Sequence, residues 1–266
     1  MKAIQGIGLA DVQKVYAGPE GRLWELIMGE QVHIGGYQSS SDLAAKAGIG
    51  GGSGVDLCCC TGAGMRFLVR VRGVERMHGV DATAAVVELG RRRCRDEGLA
   101  DRIAFTLADA CRSGLGRESA DFVWGEDAWC YVTDKPGLLS EAAAIARRGG
   151  TIAFTDWVEG RALSDAEAER YLRFMKFPSI LSIDEYAGLL AQNGCRVERA
   201  EDTGRFAPYA DLYMNMLQKQ LTYDALKIIG FDGATMAALA GEMAFMTQLA
   251  HDGKIAQGLF VARKAN

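Results

Sequence analysis

No stretch of this 266-residue sequence is apolar over the length that a membrane-spanning helix needs, and no basic flank followed by an apolar run occurs near its N-terminus. Positive charge is also in short supply: 30 Lys and Arg face 34 Asp and Glu, a formal net charge of −4. That balance supplies no broad field to attract a nucleic-acid backbone or an anionic lipid surface. Cys-x-x-Cys pairing is missing among the seven cysteines. Three of them, Cys58, Cys59 and Cys60, are adjacent, so on a strand they alternate faces and do not converge on one metal or form a bridging framework. The expectation is a soluble, cytoplasmic protein with reduced thiols, monomeric or homodimeric, with no metal, nucleic-acid partner or membrane partner. Cys58 and Cys195 read as small buried apolar residues.

What is present is apolar content of 49% in a chain of a size that suits one α/β core. Residues 23–28 read as helix. A Gly35-Gly36 break follows, and a polar Ser39-Ser40-Ser41-Asp42 stretch reads as the cap of a short helix from Leu43. After the glycine run of 50–54, short apolar runs alternate with helical patterns. Strands are expected at 55–59, 77–80, 103–107, 122–124 and 151–154, and helices at 65–71, 84–97 and 138–146. Repeated βα units imply a parallel sheet covered on both faces. Further helices are expected at 165–174 and 183–192, a strand at 196–199, a mostly helical stretch over 209–251 and a last strand at 258–262. Residues 1–50 read as an N-terminal lid and 51–160 as a cofactor-binding core. Residues 161–266 read as the remainder of the same domain, with a helical insertion at about 205–252 ahead of the closing strand. The fold class is α/β, a Rossmann-like doubly wound sheet.

Three acids sit where such a sheet binds ligands. The first constellation is Asp56-Leu57-Cys58-Cys59-Cys60-Thr61-Gly62-Ala63-Gly64, a strand passing through a glycine-bearing turn into a helix. Such a turn admits a ligand close to the backbone and offers helix N-terminal amides. Asp81, 25 residues after Asp56 and at the end of the second strand, suits ribose hydroxyls, because a carboxylate accepts from both. Ala82 follows it. Asp109 closes the third strand, placed to accept from an adenine amine, with Ala110 supplying a backbone donor.

These motifs resemble the class I S-adenosylmethionine-dependent methyltransferases, over most of the chain. Residues 23–36, 121–129 and 258–264 are similar to the branch that contains the sarcosine and dimethylglycine N-methyltransferases and small-molecule methyltransferases of secondary metabolism. The resemblance implies a seven-stranded sheet, S-adenosylmethionine as cofactor, and a lid that brings Tyr16, Ile34 and Gly35 near the methionine end. It places Asp127 beside the methionine moiety and Cys58 and Cys60 in the cofactor loop. Cys60 departs from the pattern, since the family usually has glycine there.

On the acceptor side, Glu126, Asp127, Trp129 and Tyr131 follow the fourth strand, and Asp156 and Trp157 the fifth, all at carboxyl ends. Aromatic faces with carboxylates hold a cationic amine or a sulfonium. His33 is a candidate base, Tyr16 a candidate for orienting the acceptor, and Arg205 a candidate partner for an acceptor carboxylate. Arg91, Arg92, Arg93 and Arg95 read as a solvated helix face. Met236, Leu239, Met243 and Met246 read as packing at helical spacing. The expected reaction is in-line methyl transfer to a small molecule, foremost an amine, with O-, S- or C-methylation as alternatives. From other classes, an NAD(P)-dependent oxidoreductase would need the full Gly-x-Gly-x-x-Gly spacing, which this loop lacks. A non-catalytic S-adenosylmethionine-binding module remains open.

Overall fold

A computed structural model describes residues 1–265. The chain runs β1 (Lys2–Ala3), α1 (Leu9–Ala17), α2 (Pro19–Met28), α3 (Gly36–Lys46), β2 (Ser53–Leu57), α4 (Ala63–Val71), β3 (Arg76–Asp81), α5 (Ala84–Asp96), β4 (Ile103–Leu107) and β5 (Ala120–Glu126). A 3₁₀ turn (Trp129–Tyr131) follows, then α6 (Lys135–Ile145), β6 (Ala146–Glu159), α7 (Asp165–Met175), β7 (Ser179–Ile180), α8 (Ile183–Gln192) and β8 (Cys195–Asp202). The chain closes with α9 (Phe206–Gln218), α10 (Thr222–Ile228), α11 (Gly233–His251) and β9 (Ile255–Lys264). Asn266, the last residue of the expected final segment, lies outside the described residues.

Seven strands form one sheet in the order β4-β3-β2-β5-β6-β9-β8, as the Rossmann-like reading requires. Strands β2 to β6 pair in parallel, while β9 runs antiparallel between β6 and β8. The strand order reverses between β3-β2 and β5, so the carboxyl ends of β2 and β5 splay their loops apart and leave a crevice. Side chains alternate across the pleat. Phe122 and Trp124 of β5 join a cluster with Met65, Leu68 and Phe105 on one face, and Val123 joins Trp129, Leu138 and Phe154 on the other. A third cluster packs α2 against α7 and α9, through Leu23, Ile27, Tyr171, Phe206 and Tyr213. Met243 and Met246 are buried there with Met236 and Leu239 packed beside them, so the methionine stripe is packing.

Helices α7 and α8 start where capping boxes place them. Ser164 pairs reciprocally with Glu167, and Ser182 with Glu185. Helix α3 starts seven residues before the expected Leu43, because the left-handed Gly35 (φ 86°) caps it and the serines lie inside it. Ser39 and Ser40 are buried; their hydroxyls serve the site below and not the helix end. Among the described residues no single helix is long and apolar enough to cross a membrane.

Candidate active site

The loop from β2 to α4 folds back on β3. The amides of Cys58 and Cys59 both donate to the Val80 carbonyl, at 2.8 and 3.1 Å. To make that bend, Cys58 (φ 64°) and Cys60 (φ 48°) adopt left-handed backbone, which costs an L-residue about 1–2 kcal/mol each. Glycine at Cys60 would avoid that cost, which is the physical content of the departure seen in the sequence. Gly62 (φ 73°) caps α4 without a side chain, leaving the helix N-terminal amides of Ala63 and Gly64 toward the crevice. A Cβ on Gly64 would fall 2.5 Å from Glu126 Oε2, so a side chain there would push that carboxylate away from the helix end.

The crevice is a cavity of about 270 Å³. Of the expected cofactor residues, Asp56, Cys58, Cys60, Asp81, Ala82, Asp109, Ala110, Glu126 and Asp127 line it. Asp81 Oδ2 accepts from the Cys60 amide (2.9 Å) and Oδ1 from the Thr83 amide (2.8 Å), which ties the two loops together. Burial raises the Asp81 pKa, against the pull of these amides. Asp109 accepts from the Cys111 amide at 2.9 Å. Asp56 is buried at 4% exposure, and among the described residues nothing donates to its carboxylate. Burial, with Glu126 and Asp81 nearby, pushes its pKa well above the ordinary carboxylate value. Burial and Asp81 push the Cys60 thiol up to about 12, which keeps it protonated at neutral pH.

The N-terminal segment is fastened beside this cavity at several points. Gln13 Nε2 donates to the Ala82 carbonyl (2.7 Å), and the Ile34 amide to Asp127 Oδ2 (2.8 Å). Asp127, itself left-handed (φ 49°), also accepts from Gln257 Nε2 at 2.9 Å, and Gln257 reaches on to the Ile34 carbonyl at 3.0 Å. Glu25 pairs with Arg93 and Glu30 with Arg66. Those two arginines also hold Thr61 of the β2–α4 loop, Arg66 through its carbonyl (2.7 Å) and Arg93 through its hydroxyl (3.3 Å). Arg93 therefore pairs with Glu25 of α2 and is not part of a solvated face as the sequence suggested. Tyr16 of α1 lines the cavity and donates to the Tyr131 hydroxyl at 3.0 Å, with the rings edge-on. His33 also lines the cavity. Its Nε2 lies 3.2 Å from Ser40 Oγ and 3.3 Å from Glu126 Oε1.

Several expected site residues sit elsewhere. Ile34, Gly35 and Gly62 are behind the wall: the Gly35 amide donates to Tyr213 (3.2 Å), and Gly62 backs onto the Phe105 ring. Of Trp129, Tyr131, Asp156, Trp157 and Arg205, expected to bind the acceptor, only Tyr131 lines the cavity. Trp129 is fully buried, donating to the Leu57 carbonyl (3.1 Å) and stacking on Phe154. Trp157 packs edge-on against Phe206. Asp156 is a strut beneath the 3₁₀ turn. It accepts from the Cys130 amide (3.0 Å) and the Tyr186 hydroxyl, and burial raises its pKa to about 6. Arg205 pairs with Asp42. Gln257 was missed; the available signal was one amide side chain in the apolar run Ile255 to Ala262, where a buried polar group needs partners.

The turn geometry, the acids at the carboxyl ends of β2, β3 and β4, and the strand order are those of a known family model. Residues 55–154 match a family model described as a methyltransferase domain. Around that domain, the chain is 29% identical over 163 residues to methyltransferase GfsG of Streptomyces halstedii, covering 60% of this chain and 58% of that protein. The chain spans about half the length of the first curated relatives that it matches. Whole-chain likeness is seen in structures. One assigned as a sarcosine dimethylglycine methyltransferase from Galdieria sulphuraria has a TM-score of 0.82 at 19% identity, covering 93% of this chain and 97% of that one. Phosphoethanolamine N-methyltransferase 2 of Haemonchus contortus, in complex with S-adenosyl-L-methionine, has a TM-score of 0.81 at 18% identity. It covers 97% of this chain and 60% of that one. At these identities the structures show the fold of the methyltransferase domain and its surroundings.

Proposed function

We propose that this chain binds S-adenosylmethionine in the cavity beneath its lid and transfers the methyl group to a small-molecule acceptor. The observation that carries the reading is Asp56. A buried carboxylate without a partner, beside Glu126 and Asp81, is costly unless a cationic ligand sits there. A ligand with an ammonium and a sulfonium meets that need. Asp81 offers a carboxylate for two sugar hydroxyls, and the Ala82 and Ala110 surfaces with Val86 suit a flat base. Bound S-adenosylmethionine supplies a methyl group activated for in-line displacement. The chain's residues hold and enclose it. Asp81 fixes the loop, the Tyr16–Tyr131 pair shields the cavity on the lid side, and the Asp127–Gln257–Ile34 bonds keep the lid seated, excluding water.

The resemblance led to an amine as the foremost acceptor. Asp127 in the cavity wall and Asp156 behind it are already occupied by protein donors, which favours a neutral nucleophile. Mass spectrometry after incubation with methyl-labelled S-adenosylmethionine and a panel of amines, phenols and thiols tests the proposal. Label on an acceptor, with S-adenosylhomocysteine in equal amount, supports it. Cofactor binding with no labelled product from any class points to a non-catalytic binding module, and preferential NAD binding points to an oxidoreductase.

A further inference from the structure

Helix α6 begins with a residue that its own position disfavours. Lys135 stands at the helix N-terminus, where the dipole opposes positive charge, and it is 1% exposed. Burial pulls its pKa below the ordinary lysine value. A cation kept against both forces needs partners, and Lys135 has a full set. Its Nζ donates to the Val132 carbonyl (2.6 Å), the Cys130 carbonyl (3.1 Å) and the Ser179 hydroxyl oxygen (3.2 Å), one acceptor for each ammonium proton.

Two of those acceptors bracket Tyr131. They are the carbonyls of the residues on either side of it, and Asp156 holds the Cys130 amide (3.0 Å) as well. Two charged groups therefore fix the 3₁₀ turn that carries Tyr131 into the cavity wall. The third acceptor, Ser179, lies in β7, where it pairs with Ala3 of β1. Strand β1 opens the N-terminal segment that carries Tyr16, and the Tyr16 hydroxyl donates to Tyr131 at 3.0 Å, with ring centroids 5.5 Å apart. One ammonium thus holds the turn that bears one tyrosine and the strand pair that anchors the segment bearing the other. Lys135 itself is not among the residues that line the cavity, so it acts through Tyr131.

Resting on the reading that this cavity holds S-adenosylmethionine, we propose that Lys135 is a positioning residue. Its ammonium seats Tyr131 in the cavity wall, keeps Tyr16 and Tyr131 within hydrogen-bonding distance, and thereby sets how tightly the cavity holds the cofactor. An uncharged side chain of similar length would leave the Cys130 and Val132 carbonyls buried without this donor, and the turn would have to move to satisfy them.

NMR of protein with isotope-labelled tyrosine rings reads the Tyr16–Tyr131 contact with no ligand present, Tyr16→Phe and Tyr131→Phe assigning the signals. Calorimetric titration with S-adenosylhomocysteine reads the affinity. Wild-type protein should show a through-space contact between the two rings. Lys135→Met should lose that contact and bind S-adenosylhomocysteine about fivefold more weakly. Ser179→Ala should weaken both in the same direction, to a smaller extent. In a Tyr131→Leu background, Lys135→Met should add less than about a twofold further loss, because its effect passes through Tyr131. A ring contact and an affinity that survive Lys135→Met while only the melting temperature falls would overturn the proposal, as would losses that add in the double variant. If Lys135→Met does not fold, an unchanged ring contact in Ser179→Ala overturns it, and so does a missing contact in the wild-type protein. Wild-type protein that binds no S-adenosylhomocysteine overturns the cofactor reading instead, and the ring contact still decides whether Lys135 positions the two tyrosines.

Discussion

Removing the Asp81 carboxylate separates its two tasks. Within the protein it accepts the Cys60 and Thr83 amides at 2.9 and 2.8 Å. Hydrogen bonds to a charged acceptor contribute about 1.5–3 kcal/mol each, and the cavity lets water replace part of that. Burial opposes the charge, as its raised pKa records, so deleting it also relieves a desolvation cost. A net loss on the order of 2 kcal/mol is expected for Asp81→Ala. At about 2–4 °C per kcal/mol for a chain of this size, the melting temperature should fall by about 4–8 °C. Toward the cofactor the loss is separate: hydrogen bonds from ribose hydroxyls should cost on the order of 1.4–2.8 kcal/mol, a 10- to 100-fold weaker Kd. Calorimetric titration of S-adenosylhomocysteine measures the second quantity and thermal unfolding the first. A folded variant with wild-type affinity would refute the placement of the sugar at Asp81.

Other groups make further predictions. Asp56, raised well above its ordinary pKa by burial and then by Glu126 and Asp81, should give up a proton when a cationic ligand binds. S-adenosylhomocysteine affinity should therefore rise with pH up to the raised pKa of this carboxyl, with proton release seen in buffers of different ionisation enthalpy, and Asp56→Asn should flatten that dependence. Asp156 titrates near 6 in the folded protein against 3.8 as its ordinary value, so the unfolded chain holds fewer protons between these values. Stability contributed at low pH is lost as pH rises through about 6. Chemical denaturation should show that Asp156→Asn removes on the order of 2–3 kcal/mol of that pH dependence. Tyr186, Lys135, Asp127 and Cys130 set its environment and stay in place. Replacing Glu25 and Glu30 by Gln releases Arg93 and Arg66 from the lid, and should weaken cofactor binding a few-fold while making it less sensitive to salt, read by titration at low and high ionic strength.

The sheet was legible because β2 to β5 and the middle of β6 carry short apolar runs, with helices α4, α5 and α6 between most of them, a pattern set locally. Strand ends, and with them Asp56, Asp81, Asp109 and Glu126, followed from it. The N-terminal α3 misled, since Ser39 to Asp42 carry the composition of a cap while Ser40 points to Glu126, a contact 86 residues away. The two-residue pairing of β1 with β7 has no periodicity to read. The acceptor side was least legible. Trp129 and Trp157 stand at the right strand ends, but whether a large ring faces a cavity or a core depends on partners such as Phe154 and Phe206 from distant segments. The cysteine triplet shows the reverse case: its sequence departs from glycine, and the backbone keeps the left-handed turn anyway.

The most direct test is a crystal structure of the protein with S-adenosylhomocysteine. The ribose hydroxyls should lie within hydrogen-bonding distance of Asp81 and the ammonium near Asp56 and Glu126. Density for the ligand outside the crevice between β2 and β5, or a sugar held by other groups, would contradict the account.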